Sequence, residues 1–263
     1  MASDGKPLAL LVLIHTKSRE KRDRVIALNN SNLSFFRNPS TQHSTRAIFT
    51  PTTRPKAQLG MVPSGEASTL LGLLEIWSSP AAFSAVKQTS VFKSFHSRVA
   101  EERLYDPARD MEISEWIPAA GFVARKGEKE SPKAAIVMLA KFVLKDNDLN
   151  ANRDGLVGVL GCSSLTSRSS KFCDWVEQNE SGTLTYHVLT SEKNPGEVLM
   201  FERYKDLAAI GVHGKTAEFK TMFRGTGCFI QGKKTVLSEW EELDGSFVSN
   251  TPGGAGLGGQ PKL

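Results

Sequence analysis

"GEVLMFERYKDLAAIGVHGKTAEFKTMF" (Gly196–Phe223) has a weaker copy of itself earlier in the chain, "LLGLLEIWSSPAAFSAVKQTSVFKSFH" (Leu70–His96). With Glu75 set on Glu202, an offset of 127, Trp77 meets Tyr204, Ala81 and Ala82 meet Ala208 and Ala209, and Thr89 meets Thr216. Phe92 and Lys93 then fall on Phe219 and Lys220. Downstream, "ISEW" (Ile113–Trp116) meets "LSEW" (Leu237–Trp240) at an offset of 124, and upstream "PLALLVLI" from Pro7 meets "PKAAIVML" from Pro132 at 125. Three matches in one order at nearly constant spacing define an internal duplication. The halves are expected over residues 5–125 and 130–248, joined by the charged "ARKGEKESP" (Ala124–Pro132). The Gly- and Pro-rich end, residues 249–263, reads as a flexible tail. Where the second half has only "LTSEKNPGE", the first carries "TPTTRPKAQLGMVPSGEAS", a longer loop.

Hydrophobic periodicity gives each half the same order of elements. "LALLVLI" (Leu8–Ile14) and "AAIVMLAKFVL" (Ala134–Leu144) are short apolar runs bounded by Pro and charges, the pattern of a strand buried on both faces. "GTLTYHVLT" (Gly182–Thr190) and "EVLMFERY" (Glu197–Tyr204) flank the turn "SEKNPG" and predict an antiparallel hairpin. Asp206 is placed to cap a following helix that is interrupted near Gly211 and Gly214. Ser79 takes that place in the first half, with Pro80 at the first helical position, where its missing N–H costs nothing. A fourth strand, "KTVLSEWEEL", closes the half. The order β-α-β-β-α-β is that of a ferredoxin-like unit, an antiparallel sheet with helices on one face. The other face needs a cover, and two such sheets facing each other curl into a barrel. The duplication supplies both sheets, so the expected fold class is α+β, with tandem ferredoxin-like repeats forming an intramolecular pseudo-dimeric barrel.

Composition bounds the function. A net charge of +5, with basic residues interleaved among acids as in "KSREKRDR" (Lys17–Arg24), reads as a solvated face rather than a nucleic-acid surface. The apolar runs are far too short to span a bilayer, and no small-x-small cleavage site follows Leu8–Ile14, so no membrane or export role is expected. Three cysteines, Cys162, Cys173 and Cys228, make an odd count without zinc-ligand spacing. They point to a reducing compartment and a cytoplasmic protein.

"NESGTLTYHV" (Asn179–Val188) resembles the Glu-x-Gly-x-x-x-Tyr-x-Val strand of the antibiotic biosynthesis monooxygenase (ABM) family, a branch of the dimeric α+β barrel superfamily. "FERYKDLAAIGVHGKTAEFKTMF" (Phe201–Phe223) resembles that family's Glu-x-Trp/Tyr segment, followed by Ala, by a His nine residues after the aromatic, and by Phe-Lys. Together these cover nearly all of the second half. The first half keeps Glu75, Trp77, Ala81, Phe92 and Lys93, but Val86 takes the place of His213 and the Tyr-containing strand has dissolved into "STQHSTRAIF" (Ser40–Phe49).

The resemblance implies oxygenation of an electron-rich, polyketide-like phenol, anthrone or quinol, without flavin or metal and with molecular oxygen as co-substrate. Such chemistry needs a dry apolar pocket, a base for a phenolic or benzylic proton, and donors for the resulting anion. His213 is the candidate base, histidine being the one side-chain type that ordinarily titrates near neutrality. Ile210, His213 and Ala217, three and four residues apart, are expected to share one helix face. Tyr204 is the second catalytic candidate; Tyr186, Trp77, Phe219 and Trp240 are candidates for contact with an aromatic substrate. Tyr186 and His187 alternate along a strand, so only one of them lines a given cavity. Glu75 and Glu202 read as surface carboxylates, with Arg203 at hand to pair the latter. His96, ending "SVFKSFH", sits where the haem-degrading branch of the family has a ligating His, so it joins the ligand-contact candidates; an exposed helix-end imidazole is the plainer account. Two other functions fit the same residues: non-oxidative cyclisation, isomerisation or dehydration of a similar substrate, and small-molecule binding without catalysis. The expected partner is a small aromatic molecule, with an intramolecular pseudo-dimer as the assembly and a further homodimer left open.

Overall fold

The computed structural model describes residues 5–109, 111–125, 131–161 and 172–250. The first half comprises β1 (Leu8–His15), α1 (Arg19–Ser31), α2 (Leu33–Phe36), β2 (His43–Pro51), β3 (Leu70–Trp77), α3 (Pro80–Val86), α4 (Ser90–Glu101) and β4 (Met111–Phe122). The second repeats the order with β5 (Ile136–Val143), α5 (Leu149–Leu160), α6 (Phe172–Asn179), β6 (Thr183–Thr190), β7 (Glu197–Tyr204), α7 (Leu207–His213), α8 (Ala217–Thr226) and β8 (Val236–Glu242). A short β9 (Val248–Ser249) follows. Every pairing is antiparallel, in the order β3-β1-β4-β6-β7-β5-β8-β2, and β2 also pairs with β3, so eight strands close into a barrel. The halves meet at two seams, β4 with β6 and β8 with β2. The chain is an intramolecular pseudo-dimer of ferredoxin-like units, as the repeat requires.

The duplication is exact enough to preserve an irregularity. β2 shifts register against β3 between His43 and Thr45, and β6 shifts against β7 between Thr183 and Thr185. These bulges lie at an offset of 140 (43 to 183, 45 to 185), which fixes the structural equivalence of the two strands more securely than their sequences do. Helix starts repeat as well. Ser79, Thr89, Asp206 and Thr216 each accept from the backbone N–H three residues on. Each cap is worth about 1 kcal/mol.

The interior of the barrel is packed, not hollow. Ala9, Leu11, Leu13, Phe49 and Leu74 from the first half meet Val137, Leu139, Leu199, Phe201 and Trp240 from the second. The outer faces are covered half by half: α1 and α4 over one sheet, α5, α6 and α8 over the other. Strands buried on both faces explain why "LALLVLI" shows no alternation. The long loop of the first half reaches across to β8. Gly60 donates to the Leu237 carbonyl at 2.9 Å, Arg54 pairs with Glu239, and Met61 and Val62 pack against the barrel core. At the β4–β6 seam Gly121 adopts a φ of +90°, and an added Cβ would lie 2.0 Å from the Tyr186 carbonyl oxygen, so only glycine fits there. At the end of the chain, Ser249 and Asn250 do not belong to a flexible tail. They are buried, and the Asn250 amide donates to the carbonyls of Phe36 and His43 at 2.8 and 2.9 Å, tying the end of the second half to the first. The rest of the expected tail, 251–263, lies outside the described residues, as do Cys162 and linker residues 126–130. Of the other two cysteines, Cys173 is buried and Cys228 exposed.

Two histidines make the fold acid-sensitive. His187, opposite Phe201 on the inward face of β6, is buried with neither ring nitrogen hydrogen-bonded among the described residues, and desolvation lowers its pKa to about 4. His43, stacked edge-on against Trp77 at 4.7 Å, is lowered to about 3 by burial, with the Arg46 charge adding. Both fall below the unfolded value of about 6.5, so the unfolded state binds more protons in that window. Stability is therefore complete above pH 6.5 and is lost as the pH falls towards 4. His187 alone is expected to contribute about 3 kcal/mol of that loss, at about 1.4 kcal/mol per pH unit. Urea unfolding of wild type and His187→Leu between pH 7 and pH 4 checks this; equal pH slopes in the two proteins would refute it.

Candidate active site

The β7 ladder places Glu202 and Tyr204 on the helix-facing side of the second sheet, with Tyr186 directly across from Glu202 on β6. The turn after α6 brings Glu180 to the same place, and α7 ends at His213 above it. His213 Nδ1 lies 2.7 Å from Glu180 Oε2, and both side chains are almost fully buried. Thr183 Oγ1 also donates to Glu180 Oε2 at 2.8 Å. The second nitrogen, Nε2, has no hydrogen-bond partner among the described residues, and neither has Glu180 Oε1. The carboxylate thus fixes the ring orientation and leaves one nitrogen available.

Four aromatic rings surround the imidazole: Phe219 at 4.7 Å, Tyr186 at 5.5 Å, Tyr204 at 5.6 Å and Phe172 at 5.9 Å between centroids. Phe219 is half-buried and stacks on the exposed Phe223 at 5.9 Å, so this wall of the box faces solvent. Tyr204 donates to Glu202 Oε2 at 2.7 Å. Desolvation raises the Glu202 carboxyl above its ordinary range and the Glu180 charge adds to the rise, against opposing contributions from His213 and the Tyr204 hydroxyl. Burial, with the Glu202 charge next, pushes both tyrosines well above their ordinary value, so they remain O–H donors at neutral pH. A histidine, two carboxyl groups and two tyrosine hydroxyls thus share one largely buried box.

Of the residues proposed from sequence, His213, Tyr204, Tyr186 and Phe219 come together. Three do not. Trp240 lies inside the barrel, edge-on to Phe49 at 5.3 Å, on the opposite face of the sheet from His213. Trp77 packs with His43 and Phe83 in the first half. His96 stacks with Phe92 at 4.2 Å beside a separate cavity on α4. Ala217 belongs to a second helix and shares no helix face with His213, because the chain breaks at Gly214. The imidazole faces packed rings in place of an open space. Tyr186 and His187 do face opposite sides of the sheet, as alternation requires. Glu202 is not paired with Arg203. That guanidinium points into the barrel, where it meets Glu242 at 2.5 and 2.9 Å.

Sequence reading missed Glu180 as the partner of His213, although it belongs to the Glu-x-Gly motif. Thirty-three residues separate them, and only the fold shows that the turn and the helix end converge. Among the described residues no group of three or more His, Cys, Asp or Glu is placed to hold a metal ion. No helix there is long and apolar enough to cross a membrane.

Fold and site together define a single-chain α+β barrel of two tandem ABM-like domains, with a buried His–carboxylate pair in the second. Residues 174–225 match the model of the antibiotic biosynthesis monooxygenase family, a span holding Glu180, Tyr186, Glu202, Tyr204, His213 and Phe219. The whole chain is similar in structure to a candidate monooxygenase from Fusobacterium nucleatum subsp. nucleatum (TM-score 0.67, 16% identity, 97% of this chain and 99% of that one). It is similar to another from Lactobacillus acidophilus (0.66, 14%, 95% and 97%) and to an anthrone oxidase-like protein (0.55, 12%, 95% and 95%). At such identities the likeness concerns the fold. No curated protein matches in sequence.

Proposed function

We propose that the second half is a cofactor-independent oxygenase of an electron-rich aromatic small molecule such as a phenol, anthrone or quinol. The observation that carries this is the buried Glu180–His213 pair, with Nε2 unpartnered inside a box of Tyr186, Tyr204, Phe172 and Phe219. Movement of the solvent-facing Phe219 ring admits the substrate. His213 Nε2 takes the acidic C–H or O–H proton while Glu180 holds the resulting imidazolium. The Tyr186 hydroxyl donates to the developing oxyanion, while that of Tyr204 is held by Glu202 Oε2. The carbanion or phenolate passes one electron to dioxygen, the two radicals combine to a peroxide, and loss of water leaves a new carbonyl. For an anthrone the balance is a CH2 group and O2 giving C=O and H2O.

The raised pKa of Glu202 favours a second reading, in which it and His213 act as an acid and base pair for isomerisation or cyclisation without oxygen. An oxygen electrode separates the two. Stoichiometric oxygen uptake with anthrone is the expected result, whereas product formation at full rate under argon would establish the non-oxidative reading. A role in secondary metabolism and a cytoplasmic site of action remain part of the same proposal.

A further inference from the structure

The offset of 140 that aligns β2 with β6 sets Ser40 on Glu180, Gln42 on Gly182 and Arg46 on Tyr186. The offset of 127 sets Val86 on His213 and Glu75 on Glu202. In the first half the carboxylate is consumed in structure: Arg46 Nε donates to Glu75 Oε1 at 3.0 Å, a second guanidinium nitrogen reaches Asn29 Oδ1, and the guanidinium lies over Phe36. With Ser40 and Val86 in place of Glu180 and His213, these matched positions hold no histidine–carboxylate pair; the buried histidine of this half that does meet carboxylates, His15, lies on β1 and bonds to Glu66 and Glu112. The matched positions do hold a space. A cavity of about 470 Å³ is lined by Ser40, Thr41, Gln42, Val86 and Thr89, with Phe35 and three alanines of α3.

The matched positions differ in how closely helix and strand approach. At Gly182 the approach is tight, since a Cβ added there would meet Ala209 Cβ at 2.5 Å. Its equivalent, Gln42, is exposed at the rim of the space, where its Oε1 accepts from Ser78 Oγ at 3.1 Å. Its left-handed φ of 57° caps the short turn Pro39–Thr41, with its N–H donating to the Pro39 carbonyl at 3.0 Å.

We propose that this cavity is a second, non-catalytic ligand site, equivalent by pseudo-symmetry to the candidate active site, which takes a neutral aromatic molecule bearing a hydroxyl or carbonyl group. None of the lining residues titrates, so a charged ligand finds no counter-charge; Phe35, Val86 and the alanines supply the apolar wall. Ser40 Oγ and the Gln42 amide nitrogen, neither bonded to protein among the described residues, supply polar contacts at the rim. The ligand class rests on the reading of the second half, whereas the existence of the site does not.

The probe is 2-naphthol, a neutral fluorescent phenol, measured by equilibrium dialysis under argon with the full chain. Ala85 is an exposed wall residue of the cavity, so Ala85→Trp fills it from outside the core. The variant is expected to lose one bound equivalent while oxygen uptake by the second half is unchanged. Gln42→Gly, which suits the left-handed backbone and removes the amide from the rim, is expected to weaken the same binding by about tenfold and keeps the test alive if the tryptophan variant fails to fold. Saturation unchanged in both variants, or no binding that either one reduces, overturns the proposal. Ala85-sensitive binding in a protein that consumes no oxygen would instead overturn only the oxygenase reading.

Discussion

His213→Ala is expected to lower kcat for an anthrone or phenol by about 10²–10⁴, the usual contribution of a positioned base. KM should change little, because the four rings that surround the imidazole remain. Glu180→Gln is expected to lower kcat by a smaller factor, about tenfold to a hundredfold, again with KM nearly unchanged, since an amide orients the ring but balances an imidazolium poorly. Stopped-flow oxygen consumption measured on the purified variants checks both. Full activity in His213→Ala would remove the base from the mechanism. A rise in KM accompanying the fall in kcat in Glu180→Gln would show that the carboxylate shapes the box instead of serving the proton transfer. His213 sits at a helix end and its removal leaves a small space near Phe219, so the folded state of each variant is verified by near-UV circular dichroism.

The second large effect lies inside the barrel. Arg203 and Glu242 are completely buried, and the guanidinium also donates to Ser131 Oγ at 3.1 Å and the Pro132 carbonyl at 3.0 Å, with Phe247 stacked on it at 3.4 Å. Glu242 accepts from the Ala134 amide at 2.9 Å. The pair therefore fastens the segment that opens the second half to β7 and β8. Arg203→Met leaves a buried carboxylate without its counter-charge and is expected to cost about 3–5 kcal/mol. That is a fall in Tm of about 10 °C for a chain of this size. The double variant Arg203→Met, Glu242→Leu should recover most of the loss, because it is the stranded charge and not the missing bond that is expensive. Differential scanning calorimetry reads both. A double variant no more stable than the single one would show that the guanidinium's bonds to 131 and 132 carry the effect.

The equivalent position to Arg203 in the first half is Ile76, so the two halves solve the same interior differently. The same holds outside the barrel. Where the second half keeps Glu202 in a box with tyrosines and a histidine, the first half pairs Glu75 with Arg46. Duplicated sequence marks the scaffold, and divergence at matched positions marks where chemistry was kept or replaced.

How much of this was legible beforehand divides along the range of the interactions. Strands, helix starts and the repeat itself rest on local pattern: Ser79 and Asp206 cap because a hydroxyl or carboxylate three residues ahead of a free N–H satisfies it whatever the rest of the chain does. The barrel follows almost as directly, since two half-covered sheets in one chain bury their apolar faces best against each other. By itself the sequence determined the duplication, the α+β barrel and the location of His213 on a helix of the second half. Only the tertiary structure decided that Glu180 meets His213, that Trp240 turns away into the core, that Arg203 chooses Glu242 over its neighbour Glu202, and that Ser40, Gln42 and Val86 line a common space. Each of those depends on which side chains a register and a crossing angle bring within about 3 Å, and hydrogen bonds and close packing are that short in range. Sequence periodicity assigns a residue to a face; it does not say what waits opposite.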